Sequence, residues 1–249
     1  MSHIGEDTDN HKTGNIIISA SSWGDDVSID YELIESNLLD IKRKIAPCKP
    51  RIIGVTKYFR LDAIVNGYKA GLRDFGESRV NDAILKITSL QEEIRQDVKF
   101  HFIGHLQSNK VNKVVEYFDY IHSVDSLKLA KQISESACSL NKKMRVLLQV
   151  NNAREKQKFG YDKVSLKSDI QSILELENIE VIGLMNMAPL NASDEDLKNL
   201  FQDLREFRDE LEREFKTSLP ELSMGMSNDY EIAAKEGATM IRVGRKLFT

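Results

Sequence analysis

Eight short apolar runs recur along this chain, and amphipathic segments of helical period separate them. The clearest runs are residues 51–56 and 146–150, and continuous apolar runs of this length are typical of parallel strands buried on both faces. Between the runs, apolar residues recur every three or four positions, which indicates helices. A regular alternation of eight strands with helices predicts an α/β fold, and eight is the number of strands that closes a (β/α)8 TIM barrel.

Eight segments of the chain are predicted as strands. They are residues 51–56, 74–77, 100–105, 120–124, 146–150, 180–187, 221–227 and 240–248. An open doubly wound sheet is the alternative architecture, but no G-x-G-x-x-G motif follows the first strand. The single closed barrel is therefore the favoured fold.

A helix at 28–45 precedes the first strand, with Ile34, Leu38, Ile41 and Ile45 on one face. Because no helix is predicted after the eighth strand, this first helix is expected to cover that side of the barrel. An α/β barrel commonly uses about 250 residues for one domain, so 28–249 is interpreted as one domain. Residues 1–27 are polar and are expected to form a flexible extension.

Charge and composition exclude several classes of protein. The formal net charge is −4, which disfavours a general affinity for nucleic acid. No apolar run approaches the roughly 18 residues of a membrane helix, and no secretory signal is recognised at the N-terminus. The two cysteines, Cys48 and Cys138, lack metal-ligand spacing, so neither a zinc site nor a disulfide framework is indicated. A cytoplasmic protein is expected.

Candidate binding residues lie where the first, seventh and eighth strands end. Lys57 follows the first strand, and strand alternation puts it on the same face as Ile53 and Val55. Ser223 and Ser227 share one face of the seventh strand, and Arg242 and Gly244 share one face of the eighth. In barrels of this class, active sites lie at the C-terminal ends of the strands, with phosphate groups near strands seven and eight.

Each of these features has a simpler explanation when it is taken alone. Lys57 could be a solvated lysine at a strand end, and the serine and glycine pattern could be a tight turn. Together, a reactive amine and an anion site describe a pocket for pyridoxal 5′-phosphate (PLP), which carries an aldehyde and a phosphate on one ring. A barrel that binds another phosphorylated metabolite without a covalent bond remains an alternative.

Several motifs occur in order along the chain and are specific in combination. They are Val55-Thr-Lys57, Asp74-Phe-Gly-Glu77, Phe102-Ile-Gly-His-Leu-Gln-Ser-Asn-Lys110, Gly183-Leu-Met185, Leu222-Ser-Met-Gly-Met-Ser-Asn-Asp229 and Gly237-Ala-Thr-Met-Ile-Arg-Val-Gly-Arg245. Over residues 30–248 the chain resembles the pyridoxal phosphate homeostasis protein family (YggS/PROSC). The resemblance implies a fold-type III PLP barrel similar to the N-terminal domain of alanine racemase.

The resemblance also implies roles for individual residues. Lys57 would form the Schiff base with PLP, and Arg242 would face the pyridine nitrogen. Ser223, Ser227 and the backbone at Gly244 and Arg245 would hold the phosphate. The chain departs from the family pattern at Ser78, where the family has asparagine. Lys158, rather than Lys156, corresponds best to a lysine that the family carries before a glycine.

The resemblance implies a carrier that buffers and delivers PLP, without catalytic turnover of its own. An arginine beside the pyridine nitrogen disfavours protonation of the ring and weakens it as an electron sink. The chain is also expected to lack the second domain that supplies a tyrosine base in racemases, and Tyr58 is the one tyrosine near Lys57. A weakly active amino-acid racemase or lyase is the alternative. A monomer is expected, with apo PLP-dependent enzymes as candidate recipients.

Overall fold

The computed structural model describes residues 29–153 and 159–249, and within them the strands form one closed barrel. All eight strands are parallel and neighbour one another in chain order, with the eighth hydrogen-bonded to the first. The predicted (β/α)8 barrel is confirmed. The predicted extension at 1–27 and the loop lysines Lys156 and Lys158 lie outside the described residues.

The strands are three to seven residues long. They are β1 (Arg51–Val55), β2 (Asp74–Glu77), β3 (Lys99–Phe102), β4 (Tyr120–Val124), β5 (Met144–Gln149), β6 (Ile179–Met185), β7 (Glu221–Ser223) and β8 (Met240–Val243).

Helices surround the barrel on its outer side. They are α1 (Tyr31–Ile45), α2 (Leu61–Lys69), α3 (Val80–Ser89), α4 (Glu92–Asp97), α5 (Val111–Tyr117), α6 (Leu127–Ser139), α7 (Lys163–Leu174), α8 (Asp194–Phe215), α9 (Tyr230–Lys235) and α10 (Arg245–Phe248). In the described part of the chain, no helix is long and apolar enough to cross a membrane.

Helix α1 covers the outside of the barrel as the sequence predicts. Its stripe of Ile34, Leu38, Ile41 and Ile45 is buried, and it packs against α2, α9 and α10. The Asp30 side chain caps the helix by accepting a hydrogen bond from the amide of Glu32. Burial of this apolar face therefore holds α1 against α2, α9 and α10.

Two predictions about the end of the barrel were wrong. The seventh strand stops at Ser223 rather than at 227, and the eighth stops at Val243 rather than at 248. After β8 the chain turns at Gly244 (φ −110°, ψ −91°) and forms α10, which buries Leu247 and Phe248. The apolar residues after Gly244 therefore belong to a helix, because a short apolar run does not distinguish a strand from a buried helical turn.

Three helices begin or end at irregular backbone. The apolar residues between 80 and 94 are divided between α3 and α4, because Leu90 is extended (ψ 147°). A 3₁₀ turn at Ser108–Lys110 precedes α5, so neither Ser108 nor Asn109 caps that helix with its side chain. The residue at the N-cap of α9 is Asp229.

The barrel has an inner and an outer core. The outer core lies between strands and helices and contains most of the buried apolar side chains. A separate inner cluster fills the barrel and contains Ile53, Tyr120, Leu147, Ile182, Met185 and Met240. Ile53 points inward, as the alternation along β1 requires. Buried His101, His122, Ser223 and Arg242 accompany these residues and bring polar groups into the interior.

Candidate functional site

Lys57 stands at the C-terminal edge of the barrel, two residues after the last residue of β1. Its side chain is half-buried, and its Nζ lies 5.0 Å from the centroid of the Tyr58 ring. On the neighbouring strand end, a Cβ added at Gly244 would lie 3.4 Å from the carbonyl oxygen of Val55. The backbone at Gly244 therefore passes close to the strand that carries Lys57.

The loop after β7 folds over the end of β8. The Gly244 amide donates to Ser227 Oγ at 3.2 Å, and the Arg242 amide donates to the Gly225 carbonyl at 3.0 Å. Gly225 has φ +89°, and a Cβ there would lie 2.5 Å from Ala233 Cβ, so both conformation and space require glycine. Asp229 Oδ1 accepts a hydrogen bond from the Met226 amide and holds the loop in this form.

Arg242 lies inside the barrel, with only 4% of its surface exposed. Its Nη1 donates to Ser223 Oγ at 2.6 Å, and its Nη2 donates to the Asn186 carbonyl oxygen at 2.7 Å. Burial lowers the pKa of Arg242 to about 10, against the opposing effect of the Asp229 carboxylate. The guanidinium therefore stays charged at neutral pH, and both of these hydrogen-bond acceptors are uncharged groups.

Ser223 lies lower in the barrel than Ser227 and is fully buried. Its Oγ contacts Arg242 on one side and His122 Nδ1 on the other, the latter at 2.9 Å. The structure thus brings Lys57, Ser227 and Gly244 to the rim, and Ser223 and Arg242 beneath them. Arg245 follows Gly244, and its side chain is exposed.

Two buried histidines connect Ser223 to the far end of the barrel. His122 Nε2 lies 2.9 Å from His101 Nδ1, and His101 Nε2 lies 2.8 Å from Asp74 Oδ1. Burial lowers the pKa of His101 and lowers that of His122 further below its usual value. Neither histidine was identified as a site residue from the sequence, although they lie on the neighbouring predicted strands 100–105 and 120–124.

A second buried polar cluster lies directly beside Lys57 and was also missed. Lys86 Nζ donates to Glu77 Oε1 and to the Thr56 carbonyl oxygen, each at 2.7 Å, and Thr56 Oγ1 donates to the same Glu77 oxygen at 2.7 Å. Burial raises the pKa of Glu77, although Lys86 and Thr56 act in the opposite direction. The cluster ties β1, β2 and α3 together at the rim.

His105, in contrast, lies apart from the buried histidines. It follows the end of β3, stacks on Phe159 with ring centroids 3.6 Å apart, and has Asp125 Oδ2 at 3.6 Å from its Nδ1. Because β3 ends at Phe102, His105 lies in the loop after the strand rather than on the strand face that carries His101.

Comparison with known proteins identifies the family. The alanine racemase N-terminal domain family matches residues 29–249. A pyridoxal phosphate homeostasis protein of Synechocystis sp. is 43% identical over 202 residues, which cover 81% of this chain and 92% of that protein. The chain belongs to the pyridoxal phosphate homeostasis protein family. A protein of the same name from Escherichia coli K12 is 31% identical over 86% of this chain and 95% of its own length.

Solved structures agree with this membership. PipY of Synechococcus elongatus PCC7942, solved with PLP bound, is 38% identical with a TM-score of 0.79, covering 87% of this chain and all of PipY. Alanine racemase of Clostridium difficile 630 is 19% identical with a TM-score of 0.72, covering 88% of this chain and 57% of the racemase. The second comparison shows a shared barrel fold.

Proposed function

We propose that this protein binds PLP through Lys57 and acts as a reversible carrier of the cofactor in PLP homeostasis. The observation that carries this proposal is the placement of Lys57 and the Ser227–Gly244 contact at one rim of the barrel. An amine and an anion-binding loop on one rim suit the aldehyde and the phosphate of a single ligand. The PLP-bound structure of PipY and the names of the curated relatives support the same function.

The loop after β7 and the start of α10 suit the phosphate. Ser227 Oγ accepts from the Gly244 amide, so its hydroxyl hydrogen remains available for an anionic oxygen. The amide of Arg245 lies at the first position of a helix and has no acceptor within that helix. We therefore assign phosphate binding to Ser227 and to the backbone at Gly244 and Arg245.

Arg242 suits the ring nitrogen of the cofactor. Its guanidinium stays protonated and is held by two neutral acceptors, so it presents donors rather than an acceptor. Nearby, Asn186 Oδ1 is buried and has no hydrogen-bond partner within the described ranges. Ser223 is fully buried and its Oγ accepts from Arg242, so we assign it to the support of Arg242 rather than to contact with the phosphate.

A carrier fits this site better than a racemase or lyase. PLP supplies an aldehyde that bonds to an amine and a ring that can withdraw electrons. A cationic arginine at the ring nitrogen keeps that nitrogen unprotonated and so limits carbanion chemistry. Tyr58 is 61% exposed, which makes it a poor candidate for a positioned base. We propose that the protein works as a cytoplasmic monomer and passes PLP to apo PLP-dependent enzymes.

Covalent binding is tested with three lysine variants. The wild-type protein should take up PLP with a new visible absorbance, and borohydride should fix the cofactor on the peptide that contains Lys57. Lys57→Ala and Lys57→Arg should both lose the absorbance, whereas Lys69→Ala, at an exposed position on α2, should keep it. Fixation of PLP on another lysine would overturn the role of Lys57, and no uptake by the wild type would overturn PLP binding.

Catalysis and delivery are tested separately. Turnover of alanine and other amino acids should not exceed that of free PLP, whether residue 58 is Tyr or Phe. Turnover that depends on Lys57 and falls in Tyr58→Phe would favour the alternative function, an amino-acid racemase or lyase.

If the protein delivers PLP, the PLP-loaded protein should reactivate an apo PLP-dependent enzyme even in the presence of a scavenger that removes free PLP.

A further inference from the structure

A continuous line of hydrogen bonds crosses the barrel interior from β2 to β8. It runs from Asp74 Oδ1 to His101 Nε2 (2.8 Å), from His101 Nδ1 to His122 Nε2 (2.9 Å), from His122 Nδ1 to Ser223 Oγ (2.9 Å), and from Ser223 Oγ to Arg242 Nη1 (2.6 Å). Asp74 is the first residue of β2, so the line begins at the end of the barrel opposite Lys57.

The two ends of this line fix the direction of every hydrogen bond in it. Arginine can only donate, and a carboxylate can only accept. His101 must therefore carry its hydrogen on Nε2 to donate to Asp74. A neutral His101 then accepts at Nδ1, which requires the hydrogen of His122 to be on Nε2. A neutral His122 in turn accepts at Nδ1, so Ser223 donates its hydroxyl hydrogen to His122 and accepts from Arg242.

Burial supports the neutral state of both rings. His101 and His122 are each 0% exposed, and burial lowers the pKa of both. The charges facing them act in different directions: Asp74 and Asp119 favour protonation of His101, whereas Arg51 opposes it for both rings and Arg242 opposes it for His122. The desolvation of two fully buried rings is the largest of these effects.

Stacking on a neighbouring aromatic ring also restrains the orientation of the His101 ring. Its ring stacks on Tyr120 with centroids 4.3 Å apart and an angle of 2° between the planes. The Tyr120 hydroxyl accepts hydrogen bonds from Arg51 and Arg145, each at 3.2 Å. Because these contacts limit ring rotation, His101 presents Nδ1 to His122 in one orientation.

We propose that Asp74, His101 and His122 are positioning residues for Arg242. Their hydrogen bonds all run in one direction, from Arg242 towards Asp74, and we call this series the one-way relay. The relay orients Ser223, which in turn holds the Arg242 guanidinium beneath the binding rim. The contact between Arg242 and the cofactor ring rests on the proposed function, whereas the relay itself is a property of the protein alone. The relay also uses the only hydroxyl hydrogen of Ser223, so this residue has none to offer a phosphate.

The hydrogen positions test the relay without any cofactor. Long-range proton–nitrogen NMR spectra of the cofactor-free protein at pH 7 should show both His101 and His122 as neutral rings protonated on Nε2. A His122 ring protonated on Nδ1, or a doubly protonated ring at either position, would overturn the one-way relay. This result does not depend on whether PLP binds.

Substitutions at Asp74 test whether the relay positions Arg242. Asp74→Ala removes the acceptor for His101, whereas Asp74→Asn keeps a neutral oxygen there; both lose the charge that lies 3.7 Å from Arg51. Loss of one such hydrogen bond predicts that Asp74→Ala binds PLP about tenfold more weakly and no longer holds the two histidines in single tautomers. Asp74→Asn should keep both the wild-type affinity for PLP and the single tautomers of the two histidines.

Ser123→Ala is the matched control for these variants. Ser123 neighbours His122 on β4 and is buried, yet its Oγ has no partner within the described ranges. This variant should keep wild-type tautomers and PLP affinity. Unchanged affinity in Asp74→Ala, or equal losses in Asp74→Ala and Asp74→Asn, would overturn the positioning role. If the wild-type protein binds no PLP, the proposed function fails, and the tautomers alone decide the relay.

Discussion

Ser227 Oγ accepts a hydrogen bond from the Gly244 amide at 3.2 Å, although 17 positions separate the two residues along the chain. This contact closes the loop after β7 onto the turn between β8 and α10. It leaves the Ser227 hydroxyl hydrogen free to donate, and it places that group beside the first backbone amides of α10. The pair therefore forms the part of the site that suits a phosphate.

Ser227→Ala should weaken PLP binding without a comparable effect on pyridoxal, which lacks the phosphate. Loss of one hydrogen bond to a charged group predicts a dissociation constant for PLP that is about tenfold higher. Titration of the visible absorbance with both ligands measures the two effects. An equal loss for PLP and pyridoxal would mean that Ser227 supports the loop rather than the phosphate.

Lys86→Met should destabilise the fold strongly and in a pH-dependent way. Removing one partner of a buried ion pair costs about 3–5 kcal/mol, because the Glu77 carboxylate loses its charged neighbour. Burial already raises the pKa of Glu77, and loss of Lys86 should raise it further. The folded state then binds more protons than the unfolded state, so the unfolding free energy should fall as the pH rises.

Urea denaturation at pH 5 and pH 8 measures this effect. The loss in Lys86→Met relative to wild type should be larger at pH 8. Lys69→Met, at an exposed position on α2, is the control and should change the unfolding free energy by less than about 0.5 kcal/mol. The same loss at both pH values would contradict the assignment of the effect to Glu77.

The buried histidines should make the wild-type fold less stable in mild acid. Burial lowers the pKa of His101 and His122 in the folded state, whereas an unfolded histidine takes up a proton near pH 6.5. Below this pH the unfolded state binds more protons, so the unfolding free energy falls by up to about 1.4 kcal/mol per pH unit for each histidine.

Denaturation of the wild type and of His122→Asn between pH 7.5 and pH 5.5 tests the contribution of His122. The variant should be less stable at pH 7.5 but should lose stability less steeply on acidification. Ser123→Ala, which removes no titratable group from the same strand, is the control and should keep the wild-type slope. An unchanged slope in His122→Asn would show that His122 is not the group responsible.

Gly183→Ala should be among the most damaging single-methyl additions in the barrel. A Cβ at this position would lie 1.8 Å from the carbonyl oxygen of Glu221 on the neighbouring strand, so β6 and β7 would have to separate. We expect a loss of about 3 kcal/mol or more in unfolding free energy. Gly71→Ala, with φ +95° and open space around it, should cost only about 1–2 kcal/mol.

The sequence predicted those features that depend on local periodicity. The alternating apolar runs identified all eight strands, and the spacing of Ile34, Leu38, Ile41 and Ile45 identified the buried face of α1. The strand pattern also placed Lys57 at the end of β1, at the C-terminal edge of the barrel. The binding roles of Lys57 and of the other candidate site residues stay predictions.

The ends of β7 and β8 were harder to predict, because apolar residues continue past both strands. Met224 and Met226 follow Ser223, and Leu247 and Phe248 follow Val243. Burial of Leu247 and Phe248 within α10, after the turn at Gly244, is a result of packing against α1. The sequence pattern alone is compatible with either a longer strand or a helical turn.

The periodicity of the sequence is enough to predict the barrel, because strands and helices each carry their own repeat of apolar residues. Which polar groups meet inside the barrel is seen only in the folded structure. His122 and Ser223 are 101 positions apart, and Lys86 reaches Glu77 from a neighbouring helix. Such contacts depend on how the closed sheet brings strand faces together and on the energetic need to pair every polar group that loses water. The local sequence pattern therefore does not predict which of these buried polar groups pair with one another.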